Sequence, residues 1–266
     1  MIKRIFLFIF LLSHISFLYA SITILNGLTH TYKVEKGTLY KGKIEIENTG
    51  KKTQNVKLFL QDFSYQSNGT ISYTTPHTNN KTNVDWITLN TNQLTLKAKE
   101  KKEVYYEIII PPNILEPGSY WSVIMVEPVE DIKPNDNKEG VNITSIVRYA
   151  IQIVTDYEAE KAKPNLIFES IKIDKVEGKQ TANIAVANKG NLYCKPSVTL
   201  EIYNRKTAEK VGVFSSPPMG LLPQTSKTFQ IDIDKLVPDK YNAIILSTDE
   251  NENAFALNVE LDLKND

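Results

Sequence analysis

What constrains this chain most is an alternation of apolar and polar side chains that recurs along nearly its whole length. It runs through K-G-K-I-E-I-E-N (41–48), N-V-K-L-F-L (55–60), V-Y-Y-E-I-I-I (104–110), A-N-I-A-V-A-N (182–188), T-F-Q-I-D-I-D (228–234) and A-L-N-V-E-L-D-L (256–263). Successive side chains of a strand point to opposite faces, so a period of two bounded by Asn, Gly, Pro and Lys marks half-buried antiparallel strands. Helical spacing with caps is absent, apart from a short turn in E-A-E-K-A-K (158–163). The chain is expected to be all-β.

The alternation is punctuated twice in the same way. N-T-G (48–50) and N-K-G (188–190) each end one strand and precede another. L-E-P-G-S-Y-W-S-V-I-M (115–125) matches L-V-P-D-K-Y-N-A-I-I-L (236–246) at its apolar sites. A Pro-containing turn with Tyr at the start of the next strand is what the tyrosine corner of an immunoglobulin-like sandwich requires, its hydroxyl bonding backbone upstream. Tyr120 and Tyr241 are the candidates. The first copy is longer, and S-N-G between Tyr-rich segments of 63–86 reads as an added hairpin. The expected architecture is two tandem immunoglobulin-like antiparallel β-sandwiches, 21–157 and 165–266, joined by a linker at 158–164.

Residues 1–20 stand apart. Lys3 and Arg4 precede the apolar run I-F-L-F-I-F-L-L, and the segment ends at the small residue Ala20, the pattern of a cleaved signal peptide. No other segment approaches membrane-spanning length, so no membrane span is expected after cleavage. Without the signal the chain has 29 basic against 31 acidic residues, a net charge of −2. That balance argues against a nucleic-acid binder, which needs a positive field to displace counterions from phosphate. An exported protein, periplasmic or extracellular, is expected.

The first half resembles two bacterial groups through G-T-L-Y-K-G-K-I-E-I-E-N-T-G, N-G-T-I-S-Y, V-D-W-I-T-L and L-E-P-G-S-Y-W-S-V-I-M. One is the amino-terminal domain of PapD-like periplasmic pilus-assembly chaperones. The other is the peptidoglycan-binding domain of WxL-interacting surface proteins. The second half, from N-L-I-F-E-S-I-K-I-D onward, is similar to generic bacterial immunoglobulin-like domains. The chaperone resemblance implies that an alternating strand is lent to a partner, whose terminal carboxylate is held by two basic residues. V-N-I-T-S-I-V-R-Y-A-I-Q-I-V (141–154) is the matching strand. Val141, Ile143, Val147, Tyr149, Ile151 and Ile153 are expected to face the core, with Ile146, Arg148, Ala150 and Val154 facing out as partner-binding residues. Arg148 is one of two arginines after the signal, and its guanidinium on an edge strand could grip a carboxylate. The chaperones' first-strand basic residue has no match in S-I-T-I-L-N-G-L-T-H (21–30).

Chemistry is otherwise sparse. Cys194 is alone, so no disulfide is available, and it is expected to be buried. His30 and His77 read as isolated surface histidines in loops, and neither has the spacing of a metal site. Trp86 and Trp121 read as core anchors. No nucleophile motif, phosphate loop or paired-carboxylate pattern occurs, so neither an enzyme, a cofactor nor a metal is expected. The sequence therefore points to a chaperone-like or assembly module binding a protein subunit of the envelope or surface through an edge strand at 141–154. The alternative is a structural or adhesive surface protein that binds peptidoglycan, another glycan or matrix through the 63–86 hairpin.

Overall fold

The structure, a computed structural model, describes residues 22–114, 116–129, 146–176 and 178–263. The signal segment 1–20 and residues 141–145 of the candidate strand lie outside them. Ten strands make the first half: β1 (Ile22–Ile24), β2 (Thr29–Val34), β3 (Leu39–Asn48), β4 (Gln54–Tyr65), β5 (Ile71–Thr74), β6 (Ile87–Leu89), β7 (Gln93–Leu96), β8 (Lys101–Ile109), β9 (Gly118–Val129) and β10 (Tyr149–Tyr157). Seven make the second: β11 (Leu166–Val176), β12 (Lys179–Asn188), β13 (Ser197–Asn204), β14 (Lys210–Ser215), β15 (Ser226–Asp232), β16 (Lys240–Thr248) and β17 (Ala254–Asp262). The strands form two antiparallel sandwiches. One packs β1-β3-β8-β6 on β2-β10-β9-β4-β5, with β7 also beside β4; the other packs β11-β12-β15 on β14-β13-β16-β17. The exception to antiparallel pairing is β2, which lies parallel to β10.

The repeated punctuation has a physical basis in both halves. Asn48 and Asn188 are each fully buried. The Asn48 carboxamide donates to the carbonyls of Lys52, Leu96 and Lys97 and accepts from Gly50 N–H. Asn188 donates to Leu192 and Leu221 and accepts from the N–H groups of Asn165 and Gly190. Each asparagine thus satisfies backbone groups that a turn between strands would otherwise leave buried and unpaired. Both tyrosine corners form. Tyr120 Oη donates to the Glu116 carbonyl at 2.9 Å, and Tyr241 Oη to the Val237 carbonyl at 2.8 Å.

One apolar cluster fills the first sandwich around Ile44, Ile46, Val104, Tyr106, Ile124 and Ile151. The other fills the second sandwich and continues across the joint to Phe63, Tyr65, Trp121, Val123, Met125 and Val154 on the outer face of the β10-β9-β4 sheet. Trp121 is a core anchor as expected, its indole N–H donating to the Phe63 carbonyl at 2.7 Å. Cys194 is buried beside Leu221, where burial pushes its thiol well above the usual range. The expected added hairpin exists as β4–β5, with Tyr65 opposite Ile71. Its tip lies on the second sandwich. Ser67 N–H donates to Ser226 Oγ, Thr228 Oγ1 to the Ser67 carbonyl, Tyr65 Oη to the Gly220 carbonyl, and Leu222 N–H to Tyr65 Oη. Tyr65 and Ser67 are thereby bonded to the second sandwich, while residues 68–71 at the tip stay exposed.

Candidate partner-binding site

β10 is not an edge strand over most of its length. β9 pairs with it from Tyr149 to Tyr157, and β2 covers its other side from Gln152 to Tyr157. Cover begins where Gln152 N–H donates to the Leu28 carbonyl at 2.8 Å. Along a strand the backbone groups of alternate residues face the same side. Those of Ala150 therefore face the side that β2 has not yet reached. The open stretch is short: Ile146–Arg148, which is not in a strand, and the first residues of β10.

The four predicted residues divide accordingly. Ile146 is 45% exposed and Val154 is 0% exposed. Val154 is opposite Trp121 and belongs to the cluster shared with the second sandwich, so it cannot meet a partner. Ala150 is half-buried against the same cluster. Arg148 is exposed, with its guanidinium 3.4 Å from Glu127 Oε2. An exposed pair of this kind contributes about 0–1 kcal/mol and leaves the arginine free to exchange partners. Val147, expected in the core, is as exposed as Ile146. The regular alternation begins only at Tyr149, where ladder pairing with β9 begins.

The sequence reading placed no basic residue on the first strand, and the structure supplies Lys33 on β2. It lies beside Asp156, seven residues along β10 from Tyr149, the residue after Arg148, a span of roughly 23 Å at strand rise. The two cations do not form one clamp. Lys33 instead lines a cleft of about 720 Å³ between the sandwiches with Asp156, Lys163, Tyr193 and Glu250. Asp156 is held above the ordinary carboxylate range by burial, opposed by the Ser119 hydroxyl, which donates to it at 2.5 Å, and by Lys33. Ser119 in turn accepts from Tyr193 N–H at 2.6 Å. The missed signal was T-H-T-Y-K-V itself, a polar alternation that forms β2.

His30 departs from its expected loop setting. It sits on β2 with Nδ1 2.6 Å from Tyr106 Oη, which also contacts Tyr32 Oη at 2.8 Å. His77 is exposed, with Nε2 3.6 Å from Asp85. Among the described residues no group of three or more His, Cys, Asp or Glu side chains converges. No helix among them is long and apolar enough to cross a membrane.

No family model matches the sequence, and no curated protein matches it. Among solved structures, the chain is similar to one in a chaperone–tip adhesin complex of CFA/I fimbriae, with 14% identity over 90% of this chain and 98% of that one, TM-score 0.47. It is also similar to the YadV chaperone, with 12% identity over 91% and 100%, TM-score 0.44. A third likeness is to the CsuC–CsuE chaperone–tip adhesion subunit complex of Acinetobacter baumannii, with 13% identity over 79% and 90%, TM-score 0.41.

Proposed function

We propose that this is an exported bacterial envelope protein without catalytic activity, which holds an extended segment of a partner protein in a chaperone-like or assembly role. The segment adds as a strand beside Ile146–Ala150. The observation that carries this is the late start of β2: among the described residues it leaves Ala150's outward backbone groups uncovered next to the exposed Ile146, Val147 and Arg148. Backbone hydrogen bonds would supply most of the affinity, Ile146 and Val147 apolar contact, and Arg148 a charged contact with a carboxylate of the segment. Ala150→Pro removes the outward N–H without touching the β9 ladder, so it tests the reading directly. The tagged protein should capture an envelope subunit from extract. Ala150→Pro should abolish that capture and Arg148→Ala should weaken it, with melting temperatures near wild type. Retention of full capture by both variants would sink the model.

A further inference from the structure

Between β1 and β2 the chain crosses from one sheet of the first sandwich to the other: β1 pairs with β3, and β2 lies against β10. Asn26 pins this crossing to β3. Its Nδ2 donates to the Lys43 carbonyl at 2.7 Å, and its Oδ1 accepts from Glu45 N–H at 3.0 Å. Beyond the crossing, β2 is an edge strand with a single, parallel ladder, and parallel pairing is slightly the weaker kind. Its inward residues are His30, Tyr32 and Val34, of which only Val34 is buried. Apolar burial therefore anchors the far end of β2, and its beginning is held in another way.

The hydroxyl of Tyr106 holds it. His30 Nδ1 and Tyr32 Oη both reach this oxygen, and the His30 and Tyr106 rings stack with centroids 6.1 Å apart. His30 Nε2 donates to the Asn26 carbonyl at 3.3 Å, so in the neutral ring Nδ1 accepts from Tyr106 Oη, which in turn accepts from Tyr32 Oη. Tyr106 is fully buried on β8, in the opposite sheet. The three side chains thus tie an edge strand across the sandwich. Gly42, opposite Tyr106 in the β3–β8 ladder, makes the room for them. A β-carbon there would overlap both the Tyr106 ring and Tyr32 Oη, so a larger residue would drive the two hydroxyls apart.

We infer that His30 is a positioning residue that fixes where the open edge of β10 ends, given that a partner segment pairs beside Ile146–Ala150 as proposed above. Gln152, Val154 and Asp156 turn their backbone groups toward β2, and the first of these bonds runs from Gln152 N–H to the Leu28 carbonyl, two residues before His30. With His30 held on Tyr106, cover starts at Gln152 and a partner strand must stop at Ala150. Without that tie the first half of β2 rests on its ladder alone. Gln152 and then Val154 would add their outward groups to the open edge, while Val34 keeps the far half in place. The cluster therefore limits a partner to a short paired segment, and its affinity to few backbone hydrogen bonds.

Tyr106→Phe removes the shared hydroxyl without altering β2, and His30→Ala removes its partner. Residue-resolved amide hydrogen exchange of the purified protein should be about tenfold faster at Gln152 in each variant. Ile151 and Ile153, which face β9, and Asp156 beside Lys33 and Val34 should exchange as in wild type, which separates release of the cover from a general loss of stability. The double variant should add little to either single one, since both break the same bond. A subunit captured from envelope extract should dissociate several-fold more slowly from the variants, whose open edge is longer. Unchanged exchange at Gln152, or acceleration shared equally by Ile151 and Asp156, would overturn the inference whatever is captured. So would a subunit that leaves wild type and variants at the same rate. Accelerated exchange at Gln152 with no capture by any form would uphold the hold of His30 on β2 and break the strand-addition reading instead.

Discussion

The two tyrosine corners perform the same local task in different surroundings. In L-E-P-G-S-Y and L-V-P-D-K-Y the tyrosine hydroxyl reaches the carbonyl four residues back with nearly the same geometry. The fourth position differs because the first corner lies at the joint between sandwiches. Gly118 has φ 126°, and a β-carbon there would stand 2.3 Å from the Asn191 carbonyl oxygen. Ser119 N–H donates to that same oxygen at 2.8 Å, and Asn191 Nδ2 donates to the Pro117 carbonyl. Asp239, at the matching place in the second half, is exposed and accepts from the adjacent Lys240 N–H. One corner docks a neighbouring sandwich while the other only turns the chain, and a repeat of sequence need not be a repeat of role.

Substituting the fourth position gives the largest expected contrast. Gly118→Ala combines a disfavoured backbone angle with a clash against backbone, on the order of 2–4 kcal/mol of destabilisation. Asp239→Ala should cost about 0.5 kcal/mol or less, as for an ordinary exposed site. Chemical denaturation of the two variants measures the difference, and equal costs would remove the distinction between the corners. Tyr65→Phe comes next. The ring is retained, but Leu222 N–H loses its acceptor in a buried place, an expected loss of about 1–3 kcal/mol. Burial pushes the Tyr65 hydroxyl up to about 12, so this loss should be the same at pH 5 and pH 9. Tyr241→Phe should cost about 1 kcal/mol, since a single hydrogen bond to a carbonyl disappears. Tyr120→Phe should cost less, because its hydroxyl lies where water can replace it.

What the sequence disclosed, and what it concealed, follows the range of the interactions. Alternation, the Asn-x-Gly stops, the corners and the S-N-G hairpin are set by residues a few positions apart, and all were legible. The docking of that hairpin was not, because Ser67 meets Ser226 and Thr228 only after both sandwiches exist. The cover on β10 was hidden for the same reason: a parallel pairing between residues more than 120 positions apart leaves no local mark. Val154 therefore read as an outward residue of an edge strand, although Trp121 and the second sandwich bury it. At the candidate site, the exposure of Ile146 and Arg148 was readable from the alternation. Its length was not, since it depends on where β2 starts.

The smallest expected effect concerns Asp156, which holds the joint through Ser119 while the β4–β5 tip holds it elsewhere. Its folded pKa lies above the ordinary value, so the folded chain binds this proton more tightly than the unfolded chain does. The contribution to stability is then fully present below the unfolded pKa and is lost as pH rises through the folded one. Asp156→Asn cannot ionise and should lack this dependence. Between pH 3.5 and pH 7 the melting temperature of wild type relative to Asp156→Asn should fall, with the variant equal or more stable at pH 7. A relative gain for wild type over that interval would mean that Ser119 and Lys33 outweigh burial. The Asp156–Ser119–Tyr193 contact would then depend on charge, as the neutral hydrogen bonds of the β4–β5 tip do not.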